Sequence, residues 1–258
     1  PLLINPAILK IGQNIKYDAL ILKKYGLTIT PIDDTMLISY VLDAGINKHG
    51  MDELSRVHLG IEPIPFKQIA GTGQKQITFD KVAIDKATEY AAEDADITGR
   101  LHRLLKPRLV QEKMLTVYET LERPLVPVLV DMEYNGIKVD RDILNRLSNE
   151  FAVRLSELEG EIHKLAGHPF NIASPKQLGE VLFDEMGIAG GKKSKTGAYS
   201  TGADILENLA ADGHLLPEKV LEWRALAKLK STYTDALQNE INKDTGRIHT
   251  SYSLAATT

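Results

Sequence analysis

The feature that most constrains the fold is a regular spacing of apolar residues between Asp142 and Ala166. Large apolar side chains recur there at intervals of three and four residues, which brings them onto one face of a helix. These positions are Leu144, Leu147, Phe151, Leu155, Leu158, Ile162 and Leu165. The spacing predicts a long helix with a coiled-coil-like apolar seam.

Helix signals continue on both sides of this segment. Ser174 followed by Pro175 and Gln177 is typical of a helix start, and Gly187 is typical of a helix end. The other predicted elements are helices over 117–134 and 217–241, a helix that begins near 201, and a strand over 247–252. This half of the chain is therefore expected to be mainly α-helical.

The first part of the chain has a different character. Residues 11–108 mix short apolar segments with helix patterns, which predicts a mixed α/β fold. Helices are expected over 18–25 and over 85–105, the second stopping before Pro107 because proline disfavours a helix interior. The change of pattern places a domain boundary near residues 108–118.

Composition narrows the possible classes of protein. A chain of 258 residues with 43% hydrophobic content is long enough for two structural units. Without cysteine it has no disulfide, zinc ribbon or thiol nucleophile, which favours a reducing cytoplasm. No apolar run is long enough for a membrane span, and no signal-peptide pattern is present. The net charge of −4 means that nucleic-acid binding would need local basic patches.

Two short acidic motifs suggest a metal-dependent nuclease. One ends at Asp18, and the other contains Tyr90 and Asp94, which share a helix face because they are four residues apart. Two-metal phosphodiester cleavage needs carboxylates for the metals and a polar group that orients the attacking water. Each motif also has a plainer interpretation, in which Asp18 is a first-turn helix carboxylate and the second motif is a solvated helix face.

A basic helix segment suggests contact with phosphates. Arg224, Lys228 and Ser231 fall on one helical stripe, while Leu226, Leu229 and Tyr233 are predicted to pack inward. A glycine-bounded basic loop carries further lysines, at Lys192, Lys193 and Lys195. Solvated basic charge is an equally good interpretation of the helix, and a disordered charged loop is the alternative for the lysines.

Two other patterns are given no functional role. Asp131 and Glu133 form an Asp-x-Glu pattern, but residues two apart on a helix lie on different faces, so we interpret both as surface charge. The histidines show no spacing typical of metal ligands.

Taken together, the motifs resemble those of bacterial family A DNA polymerases over nearly the whole chain. The motifs that carry this resemblance are Gly12-Gln-Asn-Ile-Lys-Tyr-Asp18, Asp34-Thr-Met-Leu37, Tyr90-Ala-Ala-Glu-Asp94-Ala-Asp-Ile-Thr98, Leu226-Ala-Lys-Leu-Lys-Ser-Thr-Tyr-Thr-Asp235 and Thr245-Gly-Arg-Ile-His-Thr-Ser-Tyr252. The resemblance implies a partial 3′→5′ exonuclease domain over 1–112, with a ribonuclease H-like α/β fold. It also implies the start of a polymerase domain over 113–258, with palm base at 113–141, a mainly α-helical thumb at 142–245 and a palm strand from 246.

The resemblance also implies roles for individual residues. Asp18 and Asp94 would bind Mg²⁺, Tyr90 would position the attacking water, and Gln13 and Asn14 would lie beside the primer 3′ end. The residues that would contact duplex DNA are Arg224, Lys228, Lys230, Ser231, Lys192, Lys193 and Lys195. The implied partners are primer–template duplex and a single-stranded 3′ end, bound by a cytoplasmic monomer without membrane contact.

The family's first exonuclease motif, an Asp-x-Glu, would lie upstream of Pro1, and most of its palm and its fingers would lie beyond Thr258. We therefore expect the chain by itself to be catalytically incomplete, while its parent extends primers, proofreads and serves DNA replication and repair. Two alternatives remain: a stand-alone exonuclease similar to ribonuclease D, and a non-catalytic DNA-binding module.

Overall fold

The computed structural model describes residues 2–191, 193, 197 and 199–256. The chain divides into two compact units. Unit 1 comprises Pro1–Ile137 and His249–Thr258, and unit 2 comprises Lys138–Ile248. In the described ranges, no helix is long and apolar enough to cross a membrane.

Unit 1 begins with a small β–α–β motif. Strands β1 (Lys10–Gly12) and β2 (Ile32–Asp34) pair in parallel, with Gly12 opposite Asp34. Parallel neighbours need a crossover, and helix α1 (Ile15–Lys24) lies between the two strands in sequence. Apart from a short strand at the boundary with unit 2, the described part of unit 1 has only these two strands. This unit is therefore mostly helical rather than evenly mixed α/β.

Helices make up most of the rest of unit 1. They are α2 (Thr35–Asp43), α3 (Met51–Leu54) with a π-helical extension (Ser55–Leu59), α4 (Phe66–Ala70), α5 (Ile84–Gln111), α6 (Leu115–Val117) with a π-helical extension (Tyr118–Glu122), and α7 (Arg123–Asn135). Two 3₁₀ turns, Gly73–Lys75 and Phe79–Lys81, and strand β3 (Ile137–Lys138), which starts at the end of the unit, complete the order.

Helix α5 continues past the predicted stop at Pro107 and ends at Gln111, so the predicted stop is wrong. Leu105 and Leu109, on either side of the proline, are fully buried in the core of unit 1. Proline inside a helix costs about 3 kcal/mol, and each buried leucine contributes about 1.5–3 kcal/mol. Burial of the two leucines therefore offsets the cost of the proline.

Residues 113–137 pack within unit 1, although the sequence analysis grouped them with the polymerase part. Tyr118, Val126 and Val130 belong to the same hydrophobic core as Ile15 and Leu37. Compact packing therefore divides the chain near residue 137. The boundary between residues 112 and 113, which the family resemblance implies, concerns homology rather than packing, and it stays a prediction.

The interpretation of Glu133 as surface charge is wrong. Glu133 is 4% exposed, forms a buried ion pair with Lys16, and accepts a hydrogen bond from the Tyr252 backbone N–H at 2.7 Å. Asp131 is the exposed member of the pair, and it forms an ion pair with Lys23. The two side chains do lie on different faces of α7, as the sequence analysis expects. Glu133 lies on the buried face and Asp131 on the exposed face.

Unit 2 is built on the long helix that the apolar spacing predicts. Helix α8 (Arg141–Ala166) is capped at its start by Asp140, whose carboxylate accepts the N–H groups of Asp142 and Ile143, and at its end by Gly167. Within the predicted seam, Leu158 and Ile162 are fully buried, whereas Leu165 is 38% exposed.

The remaining helices of unit 2 agree closely with the predicted ranges. They are α9 (Pro175–Gly179) with a π-helical extension (Glu180–Glu185), α10 (Ala203–Ala211), α11 (Leu215–Leu229) with a π-helical extension (Lys230–Asp235), and α12 (Ala236–Asn239). Ser174 caps α9 as predicted. The predicted strand at 247–252 is limited to β4 (Arg247–Ile248).

Candidate functional site

A cleft of about 550 Å³ in unit 1 brings the two acidic motifs together. It lies where the end of β1 and the start of α1 meet the beginning of α3 and the middle of α5. The lining residues are Ile11, Gly12, Gln13, Asn14, Tyr17, Asp18, Met51, Asp94, Ala95, Thr98 and Gly99. Asp18 and Asp94, which are far apart in sequence, therefore line one cavity.

The turn from β1 into α1 places Asp18 in the cleft. A Cβ at Gly12 would lie 2.9 Å from the Ile15 side chain, so the tight turn needs glycine. Asn14 has left-handed backbone angles, with φ 56°, and its N–H donates to Asp34 at 3.0 Å. This start of α1 carries Asp18 on the first turn of the helix.

Both cleft carboxylates have raised pKa values. Burial among the surrounding protein atoms raises the pKa of Asp18, even though this side chain is exposed at the cleft surface. Burial also raises the pKa of Asp94, as do the nearby carboxylates of Glu93 and Asp52, while hydrogen bonding to Tyr90 lowers it. Each carboxylate would be stabilised by a cation in the cleft.

The donors of the cleft fit a divalent cation. Mg²⁺ prefers carboxylate oxygens, and in the described ranges neither Asp18 nor Asp94 forms a salt bridge with a basic side chain. The described residues contain no group of three or more Asp, Glu, His or Cys that could hold a metal. Two carboxylates therefore supply only part of the ligand set that a two-metal site needs.

Tyr90 stands beside this cleft in an aromatic cluster. Its ring centroid lies 6.0 Å from those of Phe66 and Phe79. Burial, followed by interaction with the Asp94 carboxylate, raises the pKa of Tyr90 to about 12. The phenol therefore stays protonated near neutral pH and interacts with Asp94, as their spacing on α5 predicts.

The two other residues predicted for this site differ in their freedom. The Gln13 amide donates to the His49 carbonyl oxygen at 2.8 Å and accepts the Thr35 hydroxyl, so the protein itself holds this side chain. Asn14 is exposed at the cleft.

Sequence reasoning missed further lining residues, including Tyr17, Met51 and Thr98. Thr98 is four residues beyond Asp94, so the helical spacing that paired Tyr90 with Asp94 also predicts Thr98 on the same face. Tyr17 is 63% exposed and precedes Asp18 directly. Met51 comes from a separate segment, and no local signal identifies it.

A buried polar cluster at the end of β2 was also missed. Asp33 is 1% exposed and contacts His102 at 2.8 Å, Lys106 at 3.1 Å, the Tyr118 hydroxyl at 3.0 Å and Arg123 at 3.5 Å. Burial alone would raise the pKa of Asp33, but hydrogen bonds from His102 and Lys106 lower it to about 2. One histidine that the sequence analysis set aside therefore has a buried carboxylate partner.

Asp34, the next residue, is equally buried but has backbone partners. Its carboxylate accepts the N–H groups of Asn14, Ile15 and Met36 at 2.9–3.0 Å. Burial raises the pKa of Asp34 to about 6, against the lowering effect of these hydrogen bonds.

The polar and basic side chains of α11 and its π-helical extension fall into two groups, those bonded within the protein and those exposed to solvent. Arg224 is partly buried and donates to the Thr201 carbonyl at 2.6 Å and to the Thr201 hydroxyl at 3.3 Å, and burial lowers its pKa. Lys230 forms an ion pair with Asp235 at 2.7 Å. Lys228 and Ser231 are exposed.

The predicted inward face of this helix is only partly correct. Leu229 is 45% exposed at the end of α11, and Tyr233 is 49% exposed within the π-helical turn at Lys230–Asp235, where the angular spacing of side chains differs from that of an α-helix. Leu226 is partly buried, as predicted.

Two residues of the predicted basic loop, Lys192 and Lys195, lie outside the described residues. Lys193 is described, and its ammonium group lies 4.4 Å from the centroid of the Tyr199 ring. This is a cation–π contact with an exposed cation.

Family models match both parts of the chain. Residues 1–110 match a model described as 3'-5' exonuclease, and residues 141–258 match one described as DNA polymerase family A.

Curated relatives and a solved structure agree with these matches. DNA polymerase I of Rhizobium leguminosarum is 59% identical over 100% of this chain and 25% of its own length, and that of Pseudomonas aeruginosa is 46% identical over 99% and 28%. The chain thus spans about a quarter of the length of these relatives. The Pol1 POL domain of M. smegmatis, solved in complex with DNA primer-template and dNTP, matches with a TM-score of 0.79 and 29% identity. That match covers 96% of this chain and 40% of the solved chain. On this evidence the chain belongs to the family A DNA polymerases, as a segment similar to DNA polymerase I.

Proposed function

We propose that the cleft of unit 1 is part of the 3′→5′ exonuclease site of a bacterial DNA polymerase I that extends primers and proofreads. The observation that carries the proposal is that Asp18 and Asp94, from separate acidic motifs, line one cavity. The β–α–β start of unit 1 supports a ribonuclease H-like fold for the exonuclease part. The substrate is the single-stranded 3′ end of a DNA primer.

In this proposal Asp18 and Asp94 supply two of the carboxylates that bind Mg²⁺. Bound Mg²⁺ supplies charge neutralisation at the scissile phosphate and lowers the pKa of a water molecule. Tyr90 orients the attacking water through its hydroxyl group. Because the pKa of Tyr90 is about 12, it acts as a hydrogen-bonding group rather than as a base.

Gln13 and Asn14 form the wall of the cleft beside the terminal nucleotide. The Gln13 amide is already bonded to His49 and Thr35, so its role is to fix the wall. Asn14 is exposed and is free to contact the DNA.

Unit 2 is proposed to act as the thumb that follows the duplex backbone. Lys228, Ser231 and Lys193 are exposed and suited to phosphate contact, and Lys192 and Lys195 are assigned the same role from the sequence. Arg224 and Lys230 are bonded within the protein, so their contact with DNA would require exchange of these partners.

The metal assignment can be tested on the chain itself. Mn²⁺, a paramagnetic substitute for Mg²⁺, is titrated while electron paramagnetic resonance measures the free ion. Asp94→Asn should lower Mn²⁺ affinity because it removes a ligand charge. Asp96→Asn is the matched control, since Asp96 lies on the same helix but is exposed and paired with Arg100 at 2.8 Å. Equal affinities of wild type and Asp94→Asn would refute the assignment.

The thumb assignment can be tested by duplex binding at several salt concentrations. Binding of duplex DNA weakens as salt rises, so a plot of the logarithm of the association constant against the logarithm of salt concentration has a negative slope. Lys228→Ala should make this slope less steep by about 0.9, the value for one phosphate contact. Lys219→Ala removes the same charge from the same helix, but Lys219 is paired with Glu161 at 2.8 Å, so the slope should stay unchanged. Identical slopes for wild type and Lys228→Ala would contradict a phosphate contact at this position.

A further inference from the structure

Asp33 and Asp34 are two adjacent buried carboxylates, and each holds a different helix of the cleft. Both are 1% exposed and lie at the end of β2. In the proposed function, α1 carries Asp18 and α5 carries Asp94. The dipeptide therefore lies between the supports of the two proposed metal ligands.

Asp34 holds the start of α1. One carboxylate oxygen accepts the Asn14 N–H at 3.0 Å, and the other accepts the Ile15 N–H at 2.9 Å. The first oxygen also accepts the Met36 N–H at 2.9 Å and so caps α2. Asp18 follows on the first turn of α1, which makes its position dependent on this anchor.

Asp33 holds α5 through two side chains. His102 and Lys106 project from α5 one turn apart, and both contact the Asp33 carboxylate, at 2.8 Å and 3.1 Å. His102 lies two turns beyond Asp94 on the same continuous helix. The anchor therefore fixes the segment of α5 that leads to the cleft.

The Tyr118 hydroxyl joins the two anchors. It donates to the Asp33 carboxylate at 3.0 Å and accepts the Asp34 backbone N–H at the same distance. Tyr118 is fully buried, so solvent does not compete for these bonds. Successive side chains of a strand point to opposite faces, which lets neighbouring aspartates hold helices on either side.

We propose that Asp33 and Asp34 are positioning residues, which set the separation of α1 and α5 and thereby the separation of Asp18 from Asp94. This inference rests on the proposed function, because the two carboxylates matter together only if they share metals. Neither Asp33 nor Asp34 lines the cleft. They act through the helices that they anchor.

The test separates positioning from simple stability. Asp34→Ser keeps a hydroxyl that can cap α2 but cannot bond to both Asn14 and Ile15. Asp43→Asn is the matched control. The Asp43 carboxylate also bonds to α5, through two hydrogen bonds from Arg108 at 3.1 Å, but Asp43 is not part of β2. Asp33→Asn provides a second positioning variant if Asp34→Ser does not fold.

Two quantities are measured on each folded variant of the chain. The first is Mn²⁺ affinity. The second is the distance between spin labels on cysteines introduced at the exposed positions Lys24 of α1 and Arg103 of α5, measured by double electron–electron resonance. The absence of native cysteine makes this labelling specific.

The positioning variants should bind Mn²⁺ at least tenfold more weakly and give a shifted or broader distance distribution. Asp43→Asn should lower Tm while leaving affinity and distance unchanged. Positioning variants that lose Tm but keep the wild-type distance and affinity would overturn the inference. If Asp94→Asn does not weaken Mn²⁺ binding, the proposed function fails instead, and the distance measurement alone decides whether the aspartates set the helix separation.

Discussion

Replacing Asp33 with asparagine should remove a specific part of the acid sensitivity of unit 1. The pKa of Asp33 is lowered from 3.8 to about 2 in the folded protein. A lowered carboxyl pKa gives stability that is complete above about pH 4 and is lost as pH falls toward 2. The shift corresponds to about 2 kcal/mol of unfolding free energy. Asp33→Asn should therefore be less stable at neutral pH, by a difference that shrinks by about 2 kcal/mol at pH 2.

Urea denaturation at a series of pH values between 2 and 7 measures this difference. Far-UV circular dichroism follows the chain, and fluorescence of Trp223, its single tryptophan, follows unit 2. Asp34, whose pKa is raised to about 6, contributes in the opposite direction between about pH 4 and 6, but it is present in both proteins and cancels. A wild-type and variant difference that is constant from pH 7 to 2 would refute the reasoning.

One further substitution, with a companion variant, tests the packing of each unit. Lys16→Met should cost about 3–5 kcal/mol because it leaves Glu133 buried without its cation, and adding Glu133→Gln, whose amide oxygen can still accept the Tyr252 N–H, should recover most of that loss. Urea denaturation measures both, and additive costs would contradict a coupled pair. Gly179→Ala should destabilise unit 2 by about 1–3 kcal/mol, since its Cβ would lie 2.6 Å from that of Tyr199. Gly160→Ala, which meets open space, is its control in tryptophan-monitored unfolding, and equal midpoints would count against the clash.

Local pattern was enough to predict several features of the chain. The spacing of apolar residues predicted α8, and Ser174 with Pro175 predicted the start of α9. The four-residue spacing of Tyr90 and Asp94 predicted that they share a face of α5, and the Asp94 carboxylate is close enough to help raise the pKa of Tyr90. These features depend on residues within a few helical turns, where backbone geometry alone decides which side chains meet.

Features that depend on burial were not predictable in this way. From the sequence alone, Pro107 predicts the end of a helix. Only the burial of Leu105 and Leu109 in the core explains why α5 continues past it. Glu133 reads as surface charge because its cation, Lys16, comes from a distant part of the sequence. In each case the deciding partner is remote in sequence and close in space.

The sequence by itself determined the family, the main helices and the acidic residues of the candidate cleft, because these follow from motif order and helical period. Tertiary structure alone showed that Asp18 and Asp94 line one cavity, that Asp34 bonds to the start of α1, and that Asp33 bonds to side chains of α5. It also showed that Arg224 is bonded within the protein whereas Lys228 is exposed. The physical reason is that desolvation and hydrogen-bond partners depend on which distant segments pack together, and no local spacing records that packing.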